Sequence, residues 1–359
     1  MTMRTVLHVG PGYGQRGGVA SVIDEVCAWQ PAFAQAGIAV MHFPTHGFRS
    51  MAGLPLFLLL DVPRFLVHLL RVEVVHLHVS ARGSLVRKLC LFTLARLLRK
   101  ATVFHVHGGD FPDYMQRLPA WLSRVVLRCI DACDAVVTVS HPMAEALRQR
   151  CSVREPIRVI PNTAAAFEQR FNTSRPTAPA TGYVLFAGRL TRQKGLDELL
   201  QAIGILRARG CAPRLCVAGS GNLTHWMRRA HDLGVADLLT WAGWVEGPEK
   251  QRLYQDAALF CMPSHHESFG IAALEAMWAG LPVIGTDVGG FPDVVVRGET
   301  GWLVPVGDVV AIADAVQHLL SDANAAQRMG MAGRERAAQY FSSRVVLQQY
   351  IACYQEIGR

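Results

Sequence analysis

Two doubly wound α/β domains in tandem are what this 359-residue sequence predicts. Three observations predict them. Short Val- and Ile-rich runs alternate with amphipathic segments, the pattern of βαβ units and parallel sheets. The pattern occurs twice, once in each half. Between the halves lies TAAAFEQRFNTSRPTAPATG (163–182), polar and rich in Pro, Ala and Thr, which reads as a linker. The expected domains cover 1–165 and 182–342, joined by a linker at 166–181. A C-terminal helix at about 343–359 is expected to pack back on the first domain.

In the first half the expected strands are TVLHVG (5–10), IAVMHFP (38–44), VEVVHLHV (72–79), ATVFHVH (101–107), DAVVTVS (134–140) and IRVIPN (157–162). In the second they are YVLFAG (183–188), RLCVAG (214–219), LTWAG (239–243), ALFCMPS (258–264), PVIGT (282–286) and GWLVP (301–305). Sheets of this kind bind ligands at the carboxyl ends of their strands. Two such sheets facing a cleft would shield a two-substrate reaction from water.

Composition narrows the class. The chain is 51% hydrophobic and 18% charged, enough for buried cores and too apolar for disorder. Nine Cys with no CxxC pair read as small hydrophobes in a reducing compartment. MTMRTVLHVG runs straight into a strand with no signal-peptide pattern, so a cytoplasmic protein is expected. Residues 1–180 hold 20 Lys/Arg and 11 Asp/Glu (+9), and residues 181–359 hold 16 and 17 (−1). The first half therefore faces something anionic: nucleic acid, an acidic membrane or a phosphorylated ligand. LPLFLLLDVPRFLVHLL (54–70) is interrupted by Asp61, Pro63, Arg64 and His68 and falls short of the ~20 apolar residues of a spanning helix. ARGSLVRKLCLFTLARLLRK (81–100) is amphipathic, with Arg82, Arg87, Lys88, Arg96, Arg99 and Lys100 flanking a Leu-rich face. Together these segments suit the inner face of an anionic membrane; equally, the Leu face packs on the sheet and the Arg face is solvated.

HVGPGYGQRGGVASV (8–22) places Gly10, Gly12, Gly14, Gly17 and Gly18 between the first strand and the first helix. Such glycines let backbone amides approach a phosphate or sugar. The dinucleotide fingerprint fits loosely and its acidic partner after the second strand is missing; no NTPase P-loop occurs. In AGRLTRQKGLDELL (187–200), Arg189 and Lys194 leave one strand-to-helix loop and together suit a diphosphate. VAGSGN (217–222) brings Gly219 and Gly221 to the same edge.

SHHESFGIAALEAMWAGLPVIGTDVGG (264–290) sets two carboxylates, Glu267 and Glu275, in an otherwise apolar stretch. Glu267 falls in a loop after a strand and Glu275 about two turns into a short helix, so both are expected to face one cleft. The amides of Ser268, Phe269 and Gly270 stand at that helix start, open to an anion. Buried carboxylates accept hydrogen bonds from hydroxyls, so a polyol ligand is expected.

His76 and His78 share one strand face, as do His105 and His107. Such pairs on buried strands are usually hydrogen-bonded core groups, and without accompanying Cys or carboxylates no metal is expected. His107 ends its strand, where a neutral imidazole can bond a sugar hydroxyl or move a proton.

RGGVA, HVHG, VIPN, GRLTRQKG, AGSG and the E-x7-E of ESFGIAALEA, followed by GLPVIGTDVGGFPDVV, together resemble glycosyltransferase family 4 of the GT-B fold over nearly the whole chain. The resemblance implies a retaining, metal-independent hexosyltransferase with a nucleotide-diphosphate sugar donor (GDP-mannose or UDP-hexose) and no cofactor. It implies that Arg189 and Lys194 hold the diphosphate and that Glu267 binds sugar hydroxyls. The Phe269 and Gly270 amides would lie near the phosphates, and Glu275 on the ribose. Gly17 and Gly18 would approach from the first domain, His107 would sit near the anomeric centre, and the base near Val245 of GWVEG (243–247). Asp293 stands where Glu is common in the family. The implied acceptor is a saccharide, free or linked to polyprenyl diphosphate, in cell-surface polysaccharide synthesis; a soluble small molecule or lipid is the alternative. A nucleic-acid binder would need aromatic residues among the basic ones, and 81–100 contain only Phe92. A phosphorylase would need a cofactor lysine that no motif supplies.

Overall fold

A computed structural model describes residues 3–12, 15, 17–45, 53–81, 83–151, 156–172 and 182–357. The chain forms two compact units, Met1–Asn162 with Arg344–Arg359, and Thr163–Ser343. The first holds β1 (Arg4–Pro11), β2 (Ile38–Thr45), β3 (Val74–Val79), β4 (Ala101–Val106), β5 (Ala135–Thr138) and β6 (Arg158–Val159), all parallel, in the order β2-β1-β3-β4-β5-β6. The second holds β7 (Tyr183–Ala187), β8 (Leu215–Ala218), β9 (Leu239–Gly243), β10 (Ala257–Cys261), β11 (Val283–Thr286) and β12 (Gly301–Val304), also parallel, in the order β12-β11-β10-β7-β8-β9. All twelve strands expected from sequence form. Their Val-, Ile- and Leu-rich runs are buried because helices cover parallel sheets on both faces. Each sheet reverses its strand order once, between β1 and β3 and between β10 and β7.

Two segments differ from the sequence reading, and residues 54–70 add detail to it. Residues 173–181 of the expected linker lie outside the described residues, but its first part forms the helix Ala165–Phe171. Phe167 and Phe171, four residues apart, give that helix a buried face, and Phe167 meets the Tyr254 ring edge-on at 4.9 Å. Residues 54–70 make a helix interrupted by a π-turn at Phe57–Asp61. Phe57, Asp61, Phe65 and Leu69 turn inward, while Leu56, Leu59, Val67 and Leu70 stay exposed. Among the described residues no helix is long and apolar enough to cross a membrane. The third segment is the helix Gly83–Leu97, where Arg87 and Lys88 are buried instead of flanking a solvated face; Arg82 lies outside the described residues.

The first sheet buries a row of imidazoles. His8 on β1 pairs in register with His76 on β3, and His78 with His105 on β4, so period-two alternation sets them on one face with His107. The helix Ser343–Glu356 supplies Tyr354, whose hydroxyl bridges His8 Nε2 at 2.9 Å and His76 Nδ1 at 2.8 Å. From there the bonds run His8 Nδ1 to His78 Nε2 (2.9 Å), His78 Nδ1 to His107 Nε2 (2.8 Å), and His76 Nε2 to His105 Nδ1 (3.0 Å). Burial lowers all five pKa values, those of His8 and His107 to about 3.

Acid sensitivity follows. An unfolded imidazole takes up its proton near pH 6.5, as the buried ones do not. The unfolded state therefore binds more protons as pH falls through 6.5, and stability present above that pH is lost toward pH 3. The slope approaches about 1.4 kcal/mol per histidine per pH unit. The first unit is expected to unfold between about pH 6 and pH 5, before the second. Hydrogen exchange resolved by unit checks this, and equal acid loss in both units would contradict it.

Candidate functional site

In the second unit the motif residues converge on the exits of three neighbouring strands, β10, β7 and β8. The β10–β7 junction is where strand order reverses, the position at which such sheets open a crevice for ligands.

Two exit loops are tied together there. After β7 the chain makes a short 3-10 turn, Arg192–Lys194, closed by Gly195 at φ 74°. Gly195 lies so close to the β10 exit that a Cβ would stand 1.9 Å from the Pro263 carbonyl oxygen. The His265 amide donates to the Gln193 carbonyl (2.9 Å), and the His265 ring meets Glu198 at 2.7 Å. Within this frame Lys194 Nζ donates to Glu267 Oε2 at 2.6 Å. Glu267 is 8% exposed, and its other oxygen accepts from the Ser268 amide at 3.1 Å. Arg189, in the same β7 exit, is exposed, and its guanidinium makes no ion pair among the described residues.

The β8 exit is pressed against that of β7. Gly219 has φ 147°, and a Cβ there would stand 1.7 Å from the Gly188 carbonyl oxygen. Gly221 bridges Leu190. Next to it in the chain's motif order, Val245 is half-buried beside exposed Trp244.

Gly270 (φ 103°) opens the helix Ile271–Trp278. The Phe269 ring is buried against Phe341, with centroids 5.5 Å apart. The Phe269 and Gly270 amides make no hydrogen bond among the described residues. Glu275, 7% exposed, has partners of its own: the Tyr254 hydroxyl donates to it at 2.7 Å, and Lys250 forms an ion pair with it. Burial, and then the Glu275 carboxylate, push the Tyr254 hydroxyl well above its usual range. Sequence reasoning missed Lys250 and Tyr254. Their signal is the i,i+4 spacing, which puts both on one face of the helix Gly247–Gln255.

Gly17, Gly18 and His107 belong to the first unit. Gly17 and Gly18 are exposed at the start of the helix Gly18–Ala28, and Gly14 and Arg16 lie outside the described residues. His107 directly follows β4, is 6% exposed, and is held neutral by burial. Two histidine triads, His8–His76–His78 and His78–His105–His107, are close enough to hold a metal ion. Every ring nitrogen of the first triad, and all but two of the second, already makes a hydrogen bond within the network.

Tyr254→Phe tests the Glu275 arrangement. It removes one donor from a buried carboxylate and is expected to cost about 1–3 kcal/mol. Urea unfolding of the variant measures this; an unchanged midpoint would mean that Glu275 does not depend on the phenol.

Comparison with known proteins gives relatives of one kind. Residues 4–164 match the family model described as Glycosyltransferase Family 4, and residues 168–336 the model described as Glycosyl transferases group 1. A glycogen synthase of Mycobacterium tuberculosis is 31% identical over 242 residues, 67% of this chain and 56% of its own length. A GDP-mannose-dependent alpha-(1-6)-phosphatidylinositol monomannoside mannosyltransferase of the same species is 37% identical over 184 residues, 49% of this chain and 46% of its own length. The chain thus spans about half the length of these curated relatives. The crystal structure of Anabaena HepE in complex with UDP and glucose shares the fold with a TM-score of 0.74, at 17% identity, over 98% of this chain and 99% of that one.

Proposed function

We propose, from the premise that this chain is a member of glycosyltransferase family 4 with the GT-B fold, that it moves a hexose from a nucleotide-diphosphate sugar to a saccharide acceptor with retention of anomeric configuration. The observation that carries this reading is the Lys194–Glu267 pair at the strand-order reversal of the second sheet. A cation and a carboxylate side by side match the two ends of a sugar diphosphate. Lys194 and Arg189 take the phosphates, and Glu267 accepts from sugar hydroxyls. The hard step is departure of the diphosphate with its negative charge. Arg189, Lys194 and the Phe269 and Gly270 amides stabilise that charge as it develops. Glu275, anchored by Tyr254 and Lys250, is assigned to the ribose, and the segment around Val245 to the base. Gly219 and Gly221, which let the β8 exit pack against the β7 exit, are assigned to the donor side. In the first unit, Gly17, Gly18 and neutral His107 are assigned to the sugar side of the reaction. The reading calls for neither metal nor cofactor, and either GDP-mannose or a UDP-hexose fits it.

A thermal-shift series with UDP, GDP, ADP, dTDP and CMP, without metal, tests the donor site. The matching diphosphate is expected to stabilise the protein by roughly 2.7 kcal/mol at a hundredfold excess over its dissociation constant. Lys194→Ala is expected to abolish that shift. No shift with any nucleotide, in a folded sample, would count against the reading.

The acceptor is proposed to be lipid-linked, such as a polyprenyl-diphosphate saccharide of cell-surface polysaccharide synthesis, with the protein resting on an anionic membrane surface. Exposed Leu56, Leu59, Val67, Leu70 and Leu97 support this, together with exposed Arg64, Arg71 and Arg99 and with Arg96, which also pairs with Asp134. Each cation near such a surface contributes about 1 kcal/mol. Replacing all four arginines with Gln is expected to release the protein from phosphatidylserine vesicles in a flotation assay. Equal flotation of variant and parent would remove the membrane part and leave the donor chemistry standing.

A further inference from the structure

We propose that the first unit contains a separate anion site, built around buried Lys88, that takes a phosphoryl group of the acceptor. The proposal rests on the transferase reading for the word acceptor; the anion site itself stands on the first unit's geometry alone.

A cavity of about 170 Å³ opens at the carboxyl edge of the first sheet, many times the ~15 Å³ that one water needs. Pro11 at the end of β1, Thr45 at the end of β2 and Ser80 just after β3 line it. It therefore sits where this sheet's strand order reverses between β1 and β3, the counterpart of the Lys194–Glu267 position in the other sheet. Ser84, Arg87 and Lys88 line it from the first turns of the helix Gly83–Leu97. That turn carries no acidic residue, so the helix end adds its own positive potential.

Lys88 is the unusual group. It is 1% exposed, and its ammonium makes one hydrogen bond among the described residues, to Thr45 Oγ1 at 3.0 Å. The Thr45 hydroxyl is itself committed as a donor to the Gly10 carbonyl at 2.9 Å. Two of the three ammonium protons are left for whatever enters the cavity. Lys88 and Arg87 are both influenced by one carboxylate, that of buried Asp61. Burial and the Arg87 charge both disfavour the charged form of Lys88, and an entering anion would favour it. His78, also on the wall, has both ring nitrogens engaged by His8 and His107 and does not compete as a ligand. A phosphoryl group fits the donor set: an ammonium, a guanidinium and hydroxyls around room for a tetrahedral anion.

Burial, with Arg87 beside it, lowers the Lys88 pKa to about 7 against the pull of Asp61. His42 also feels its charge. An anion bound against Lys88 restores its charge, so binding above neutrality takes up a proton.

Titration calorimetry of the full chain with inorganic sulfate, which does not itself titrate near neutrality, tests the site. Run at pH 8 in two buffers of different ionisation heat, it is expected to show uptake of close to one proton per sulfate bound. Lys88→Met is expected to weaken sulfate binding at least tenfold and remove the proton uptake. Thr45→Val, which leaves the ammonium in place, is expected to keep the uptake. UDP and GDP are titrated into the same variants. Loss of sulfate binding with nucleotide binding intact supports an acceptor-side site. Equal loss of both would assign the cavity to the donor phosphates and overturn the proposal. Sulfate binding without proton uptake, or unchanged in Lys88→Met, would also overturn it, whatever the nucleotides do. Absence of nucleotide binding in the parent chain would instead count against the transferase reading.

Discussion

One phenolic proton orders five imidazoles. A neutral imidazole has one donor and one acceptor nitrogen, and full burial keeps these five neutral. The Tyr354 hydroxyl can donate to His8 or to His76, not to both. If it donates to His8 Nε2, then His8 donates from Nδ1 to His78, and His78 from Nδ1 to His107 Nε2. His107 then carries its proton on Nδ1 and is a donor there. If Tyr354 donates to His76, every bond in that row reverses and His107 Nδ1 becomes an acceptor. His105 ends the other branch, and its Nε2 has no hydrogen-bond partner among the described residues. The protonation pattern at the carboxyl edge of the first sheet is thus fixed in the middle of the sheet, by a residue from the far end of the chain.

The same constraint, that a buried polar atom needs a partner inside the protein, shapes the second unit differently. Glu267 and Glu275 are each more than nine-tenths buried and each is paired with its own lysine. Both pairs join segments far apart in sequence: the β7 exit with the β10 exit, and the helix Gly247–Gln255 with the helix Ile271–Trp278. Removing one partner from such a pair strands a charge, whereas the intact pair contributes little net stability. Buried ion pairs retained on those terms point to a role other than stability.

The strands were legible as short apolar runs, and Lys194 and Glu267 because each lies in the loop that leaves such a run. Lys250 and Tyr254 were not, because PEKQRLYQ reads as a solvated helix: their i,i+4 spacing puts them on one face but does not say that this face turns inward. The helix Ala165–Phe171 was hidden by the Pro/Ala/Thr composition of its neighbours; only the spacing of Phe167 and Phe171 marked it. Lys88 and Arg87 were misassigned for the commonest reason, that charges on an amphipathic helix are assumed to mark its wet side. Burial of a lysine depends on what the opposing strand ends offer, here Thr45 and the space beside it, and that is a tertiary fact.

On the proposed donor reading, Lys194 and Glu267 would favour a sugar diphosphate over either half of it. A free anion can draw Lys194 only by leaving Glu267 buried without its cation. A free polyol can offer hydroxyls to Glu267 but meets a carboxylate already occupied by Lys194. A ligand that carries both groups at the right separation replaces both partners in one event, and neither charge is stranded. Selectivity of this kind needs no shape-specific pocket. It needs only that two opposite charges be buried together and that each be costly to leave alone, which is what the joined exits of β7 and β10 impose.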